Sequence, residues 1–539
     1  MDQSPRRLIY LSVLATALGL LGGGASWVLL RLIALLSNAA LLHQYGWQLP
    51  SLAHAHPGWW IVPTAMAGGL IVALLAKWSP VIKGHGIPEA MEAVLIRESR
   101  IAPRAALAKP TSAAIAIGTG GPFGAEGPII VTGGALGSLI GQLLHVTPSE
   151  RKILLAAGAA AGMSATFGAP LASIVLAIEL LLFEFSTRAF VPLAVSSSVA
   201  AGVHAWYAGS APLLRVAPHT YSGLGQVPVF AVLGLGAGIL AAVVCHGLFT
   251  VESGYRRLPI SDFWHPVIGG ACFGLIGFVV PRALGVGYDA INDSIAGKIA
   301  VGTLAALLIA KLLAWWLALG SGTSGGTLAP LLLIGATFGG LYAHAVHSVF
   351  PGLHVAAVVI VVVAMSAVFG ASIRAPFTAI VFAFELTRDY QSILPIIGAV
   401  VIADLVARML VDHGLMTEKL ARRGVFVPRD YAPDVLESRR VAEVMSTNGA
   451  ATDDLLVISR HASLIDALER LVGNGVTQLR VVDDQERPVG VIALSDILRT
   501  RVEARREAMQ PGWITRLRRA ASQAESRRDP PPGDAPARY

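Results

Sequence analysis

Met163-Ser-Ala-Thr-Phe-Gly168 recurs 202 residues later as Met365-Ser-Ala-Val-Phe-Gly370, and this duplication constrains the fold more than any other feature of the chain. Ala169-Pro170, followed by an apolar run to Glu179-Leu180, returns 206 residues on as Ala375-Pro376 with an apolar run to Glu385-Leu386, so four residues are inserted around Ala371–Arg374. Upstream, Gly127-Pro128 stands opposite Ala329-Pro330 and Gly84-His-Gly86 opposite Gly285-Val-Gly287, at offsets of 202 and 201. Four anchors in one order describe a chain built twice on one plan, with halves over about 10–210 and 226–425 of a domain spanning 1–425.

The material between the anchors is apolar. Only 14% of the 539 residues are charged and 54% are hydrophobic, against roughly 25% charged in a soluble domain, so the chain reads as an all-α polytopic membrane protein. Runs near 8–40, 58–78, 127–147, 189–207, 226–250, 264–281, 295–319, 331–349, 352–371 and 389–411 are long enough to span, since about 20 such residues cross a bilayer. Stretches 101–118 and 151–183 are shorter or interrupted. The first run is too long for a signal peptide and is kept as a span. Cys245 and Cys272 both lie in apolar segments, which argues against a disulfide framework. Arginines cluster toward the C-terminus. Arg-rich flanks are normally retained in the cytoplasm, so both termini are placed inside. A solvated basic tail is preferred to nucleic-acid binding.

Glu126 lies in Gly118-Thr-Gly-Gly-Pro-Phe-Gly-Ala-Glu-Gly-Pro128 between apolar runs. A carboxylate within a membrane is costly and usually lines a water-filled path or ion route. Broken backbone at that depth is tolerated only inside protein or along a cavity. Placement in a surface loop between two spans is the plainer alternative. Repeated halves with Gly/Pro-interrupted segments at matching positions point to a transport site between the repeats. Gly84-His-Gly-Ile-Pro88, Gly124-Ala-Glu-Gly-Pro128 and Gly320-Ser-Gly-Thr-Ser-Gly-Gly-Thr-Leu-Ala-Pro330 each put Pro near a helical first turn, where its missing N–H is no loss. Free N–H groups at such starts attract anions. The competing reading is that these are helix breaks needed only for packing.

These motifs resemble those of the CLC chloride channel and transporter family. Gly84-His-Gly-Ile-Pro-Glu89 is similar to its first anion-binding signature, Gly124-Ala-Glu-Gly-Pro128 to its second and Gly325-Gly-Thr-Leu-Ala-Pro330 to its third. Over roughly 10–425, the resemblance implies a homodimer with one ion pathway per subunit and an inverted repeat with broken helices. It assigns Glu126 as the gating glutamate that competes with an anion. It places the N–H groups of Gly86, Ile87, Thr327 and Leu328 around the central anion, with Pro88 and Gly127 in the pathway.

The departures from the family pattern are specific. His85 stands where many members have Ser, Leu328 replaces Phe, and Met416 falls where relatives carry a Tyr hydroxyl. Ala125 replaces the basic residue before the gate, and Leu180 occupies the position of a second, inner glutamate in proton-coupled members. Leu180 carries no proton, which tilts the expectation toward a channel-like protein, unless the adjacent Glu179 or water supplies the proton path. His85 is expected either to hold an anion through its ring N–H or charge or to pack as a neutral imidazole.

Beyond about residue 430 the composition turns to soluble α/β. Strands at 455–458, 478–482 and 489–493 with helices at 463–473 and from Ser495 resemble a single CBS motif over 437–503, expected to pair with a second copy across subunits. Gly490-Val-Ile-Ala-Leu-Ser-Asp496 keeps the Asp of an adenosine-nucleotide pattern but has Ala493 in place of its hydroxyl residue. A structural dimer contact is therefore preferred to nucleotide binding by Asp496. Residues 507–539 are expected to be a disordered basic tail. No cofactor or metal is implied. The function expected is passive, glutamate-gated passage of chloride or a similar monovalent anion across a bacterial inner membrane. A proton-coupled antiporter on the same fold is the alternative. A CBS-based sensor or a membrane-embedded enzyme is remoter, because the Ser, His and acidic residues of the apolar region form no recognisable nucleophile–base arrangement.

Overall fold

The computed structural model describes residues 5–55, 58–220, 223–425, 427, 436, 439–447, 455–483 and 485–508. They fall into two compact units, one within the first 427 residues and one beyond.

The first unit runs through the same eight-helix series twice. Its first half is α1 (Pro5–Leu42), α2 (Ile61–Trp78), α3 (Ile87–Ile96), α4 (Ala105–Gly118), α5 (Glu126–Leu143), α6 (Pro148–Phe167), α7 (Pro170–Ala177) and α8 (Thr187–Ala208). The second is α9 (Val227–Arg256), α10 (His265–Val279), α11 (Tyr288–Ile295), α12 (Val301–Gly320), α13 (Leu328–Val349), α14 (Ala357–Ile373), α15 (Pro376–Thr387) and α16 (Ile393–Leu410), followed by the short α17 (Glu418–Arg422).

Packing repeats as well. α1 lies against α4, α6 and α8, and α9 lies against α12, α14 and α16. Helices α2 and α10 pack on each other, as do α7 and α15, so each meets its own repeat mate across a twofold relation. Reciprocal contacts follow from that symmetry. The Glu179 carboxylate accepts the N–H groups of Phe377 and Thr378 at 3.3 and 2.8 Å in the first turn of α15. Glu385 accepts those of Leu171 and Ala172 at 3.0 and 2.7 Å in the first turn of α7. Each carboxylate thereby satisfies two of the N–H groups that a helix start leaves unpaired. The close α2–α10 crossing depends on Gly69 and Gly270, where a Cβ would lie 2.2 and 2.5 Å from the carbonyls of Pro266 and Ala65. Small residues let membrane helices approach in this way. The architecture is an inverted repeat.

Among the described residues seven helices are long and apolar enough to cross a membrane. The runs at 127–147, 264–281 and 352–371 become α5, α10 and α14, of 18, 15 and 17 residues, and none of the three is among those seven. Stretch 151–183 divides into α6, α7 and a wider π turn over Ile178–Leu182.

In the second unit β1 (Val457–Ser459) pairs in parallel with β2 (Gln478–Val482), which pairs antiparallel with β3 (Pro488–Ala493). Helices α18 (Leu464–Gly473) and α19 (Leu494–Ala508) complete it. Leu464, Ala467, Leu471, Leu479, Val481, Ile492 and Ile497 form its core. This is the βαββα order expected, although β1 begins two residues late. The tail expected to be disordered lies, from residue 509 on, outside the described residues.

Candidate functional site

The three glycine-rich segments meet. Gly124 N–H donates to the Gly326 carbonyl at 3.2 Å and Gly326 N–H returns a bond to the Gly124 carbonyl at 2.8 Å. These two glycines are repeat mates, so the exchanged pair lies on the twofold itself. Gly84 is bridged to Ser324, whose hydroxyl accepts from that of Ser112 at 3.0 Å. Gly86 and Gly127 allow the remaining approach. A Cβ on Gly86 would fall 2.3 Å from the Gly127 carbonyl, and one on Gly127 would fall 2.0 Å from the His85 carbonyl. The starts of α3, α5 and α13 are thus gathered together, and their positive dipole ends favour negative charge between them.

Two buried lysines hold the loops that lead into this junction. Lys109 Nζ donates to the carbonyls of Ile82 and Gly84 at 2.7 and 2.8 Å. Its mate Lys311 donates to those of Ala283 and Gly285 at 3.1 and 2.8 Å. Sequence reading missed both, although the 202-residue offset between two lysines in apolar runs was visible.

Glu126 opens α5 and is fully buried. Its Oε1 accepts from the Tyr288 hydroxyl at 2.6 Å. Its Oε2 has no hydrogen-bond partner among the described residues and lies against Gly124 and Gly326, where Cβ atoms would approach it to 1.7 and 2.9 Å. The carboxylate is therefore folded back over the starts of α5 and α13, in the place those helix ends prepare for an anion.

His85 is 6% exposed and its Nδ1 is unpartnered. Thr327, the residue before α13, likewise carries a buried Oγ1 without a partner. Buried polar atoms are normally satisfied, so two unpartnered ones at the starts of α3 and α13 suit a polar ligand. A cavity of about 670 Å³ reaches Gly84 and His85, and its walls carry Lys83, Arg97, Arg100, Arg104, Arg256, Lys419 and Arg423 together with Glu89, Glu92, Glu252 and Asp262. Arg97, Arg256, Lys419 and Arg423 are paired with those glutamates, and the remaining excess of positive charge favours anions.

The expected residues fare differently. Ile87, Gly127 and Leu328 are buried at the junction with Pro88. The Gly86 N–H, expected to face the anion, instead donates to Glu89 Oε2 at 2.7 Å, because a glutamate two residues inside the helix reaches back to cap it. The other Glu89 oxygen accepts from Lys419 at 2.8 Å. Met416 is fully buried on a stretch tethered by that ion pair and by the bond from Leu415 N–H to the Ser372 carbonyl at 2.9 Å. Leu180 is buried in the π turn, and Glu179 is held by three hydrogen bonds from the α15 start, the Thr378 hydroxyl included at 2.6 Å. In the second unit Asp496 Oδ2 accepts the Ala493 N–H at 3.0 Å, closing the turn into α19. Tyr288 was not singled out, although it directly follows the Gly285-Val-Gly287 anchor.

A family model described as voltage gated chloride channel matches residues 67–408, and one described as CBS domain matches 441–503. The chain is 32% identical over 444 residues to the H(+)/Cl(-) exchange transporter ClcA of Citrobacter koseri, covering 78% of this chain and 89% of that relative. It is 29% identical over 385 residues to a ClcB-like protein of Ralstonia nicotianae whose chloride channel name is itself provisional, covering 69% and 88%. The solved structure of a slow cyanobacterial Cl-/H+ antiporter matches with a TM-score of 0.69 and 26% identity over 78% of this chain and 99% of that one. Because the match runs through both halves of the repeat and all three glycine-rich starts, this multi-pass membrane protein belongs to the voltage gated chloride channel family and carries a CBS domain.

Proposed function

We propose that the protein exchanges chloride, or a monovalent anion close to it in size, for protons across a bacterial inner membrane. The observation that carries this reading is the Glu126 carboxylate lying where three helix starts favour an anion. A carboxylate in that place leaves when it takes up a proton and returns when it gives the proton up, so one side chain links the two ions. Relatives and a structural neighbour named as exchangers favour this over the channel-like expectation. His85 Nδ1, Thr327 Oγ1 and the N–H groups of Ile87 and Leu328 are the anion's partners. Protons reach the site through water in the cavity beside His85, since Leu180 carries none and Glu179 is committed to capping α15. The protein works as a homodimer with both termini in the cytoplasm, its CBS units paired across subunits and Asp496 serving structure.

The Leu180 position favours one second reading, loosely coupled anion flux. Reconstituted liposomes separate the two. A chloride gradient drives protons uphill in the wild type, and Glu126→Gln lowers that proton movement by about a hundredfold while anion flux persists. Wild-type proton movement in Glu126→Gln removes the role given to Glu126. Chloride flux with no proton movement in the wild type selects the second reading.

A further inference from the structure

We propose that Tyr288 is a positioning residue of the gate: its hydroxyl latches the Glu126 carboxylate in the anion's place and sets how readily an anion displaces it. The inference rests on the gating role proposed for Glu126. Ala125, where the family pattern has a basic residue, leaves the carboxylate without a cation on its own segment. The Lys311 ammonium is turned to the Ala283 and Gly285 carbonyls. The Tyr288 hydroxyl at 2.6 Å is the side-chain donor on Glu126 among the described residues.

The latch is held from both ends. Its ring meets Phe167 edge-on at 6.3 Å and 69°, and Phe167 meets Phe382 edge-to-face in turn at 4.7 Å and 83°. Its backbone opens α11 directly after the loop that Lys311 pins. Asn292 on the next turn accepts Arg215 N–H at 3.0 Å and donates to the Tyr288 carbonyl at 3.1 Å, fixing α11 against the 213–215 segment. A hydrogen bond from hydroxyl to carboxylate stabilises the ionised, seated form. Losing it weakens the competitor of the anion rather than the anion's own partners.

The test is chloride binding to the detergent-solubilised full chain by titration calorimetry, on Tyr288→Phe, Glu126→Ala and the double variant. Tyr288→Phe keeps the ring against Phe167 and removes only the hydroxyl. Chloride binds about tenfold more tightly in Tyr288→Phe than in the wild type, the scale of one charge-assisted hydrogen bond. The same substitution in Glu126→Ala changes affinity less than about twofold, because the latch then has nothing to hold. Unchanged affinity in Tyr288→Phe overturns the proposal, and so does an equal change in both backgrounds, which assigns Tyr288 to the anion site or to packing. A Glu126→Gln variant that loses proton movement while Tyr288→Phe binds chloride as the wild type does leaves the proposed function standing and removes only the latch.

Discussion

The loop before α3 and the loop before α11 are the same device put to different ends. Each has a buried lysine clamping two carbonyls, then Gly-x-Gly with positive φ at both glycines, then a helix start. In the first half the loop presents His85 and the Ile87-Pro88 start to the junction. In the second it presents Tyr288 to Glu126. The asymmetry extends to the starts of α5 and α13, where the position of Glu126 is matched by Leu328. Duplication supplies a rigid frame twice over, and on the function proposed above single side chains at equivalent points divide the work between holding an anion and controlling access to it.

The largest effect that tests this comparison is backbone space. Gly86 has φ 100° and its Cβ would lie 2.3 Å from the Gly127 carbonyl, whereas its mate Gly287 has φ 86° and would meet side-chain ends alone, Leu333 at 2.9 Å and Lys311 Nζ at 3.8 Å, and Gly285 has φ 61° with open space. Gly86→Ala combines backbone strain with a clash that backbone cannot relieve, and should cost about 3 kcal/mol with loss of chloride binding. Gly285→Ala bears only the left-handed conformation, about 1 kcal/mol. Melting of the purified variants in detergent measures both, and equal losses would mean that the first loop is no more tightly seated than the second.

A smaller effect concerns elements that the two halves use alike. Glu179→Gln and Glu385→Gln each weaken a charge-assisted cap and should each cost about 1–2 kcal/mol, while the ratio of chloride to proton movement in liposomes stays at the wild-type value. If Glu179→Gln alone uncouples transport, Glu179 carries protons and the symmetry of the two caps breaks at that point.

The smallest effect lies in the second unit, for which the comparison has no internal mate. Asp483 Oδ1 accepts the N–H groups of Gln485 and Arg487, both at 2.9 Å. These bonds hold its carboxyl below the usual Asp range. A folded-state value lowered in this way gives stability that is present at neutral pH and lost as pH falls through it. Hydrogen exchange at Gln485–Arg487 in the full chain should therefore quicken a few-fold on acidification. In Asp483→Asn the turn should show no such acid step.

The repeat, the three glycine-rich starts and the α/β order of the second unit were legible because each is a local pattern. Gly-x-Gly needs positive φ, Pro sits in a first turn, and β-branched runs alternate with polar turns. The buried position of Glu126 at a helix start was legible for the same reason, as a carboxylate within broken apolar sequence. Helix bounds were less so, since hydropathy over 264–281 or 352–371 does not register that the helices run over His265–Val279 and Ala357–Ile373. The Gly86 N–H was misread because Glu89, two residues inside α3, was counted as part of a motif and not as a cap.

By itself the sequence determined that this chain is duplicated, embedded in a membrane, broken at matching glycines and furnished with one carboxylate at such a break. Those properties depend on composition, on periodicity and on residues a few positions apart. Which donor meets Glu126 was decided by tertiary structure alone, because Tyr288 is 162 residues away and comes to it only when the twofold folds the second half onto the first. The same closure decided that Glu179 caps α15 while Glu385 caps α7. A long-range contact between halves has no local signature, and its chemistry is set by where the symmetry axis brings each side chain.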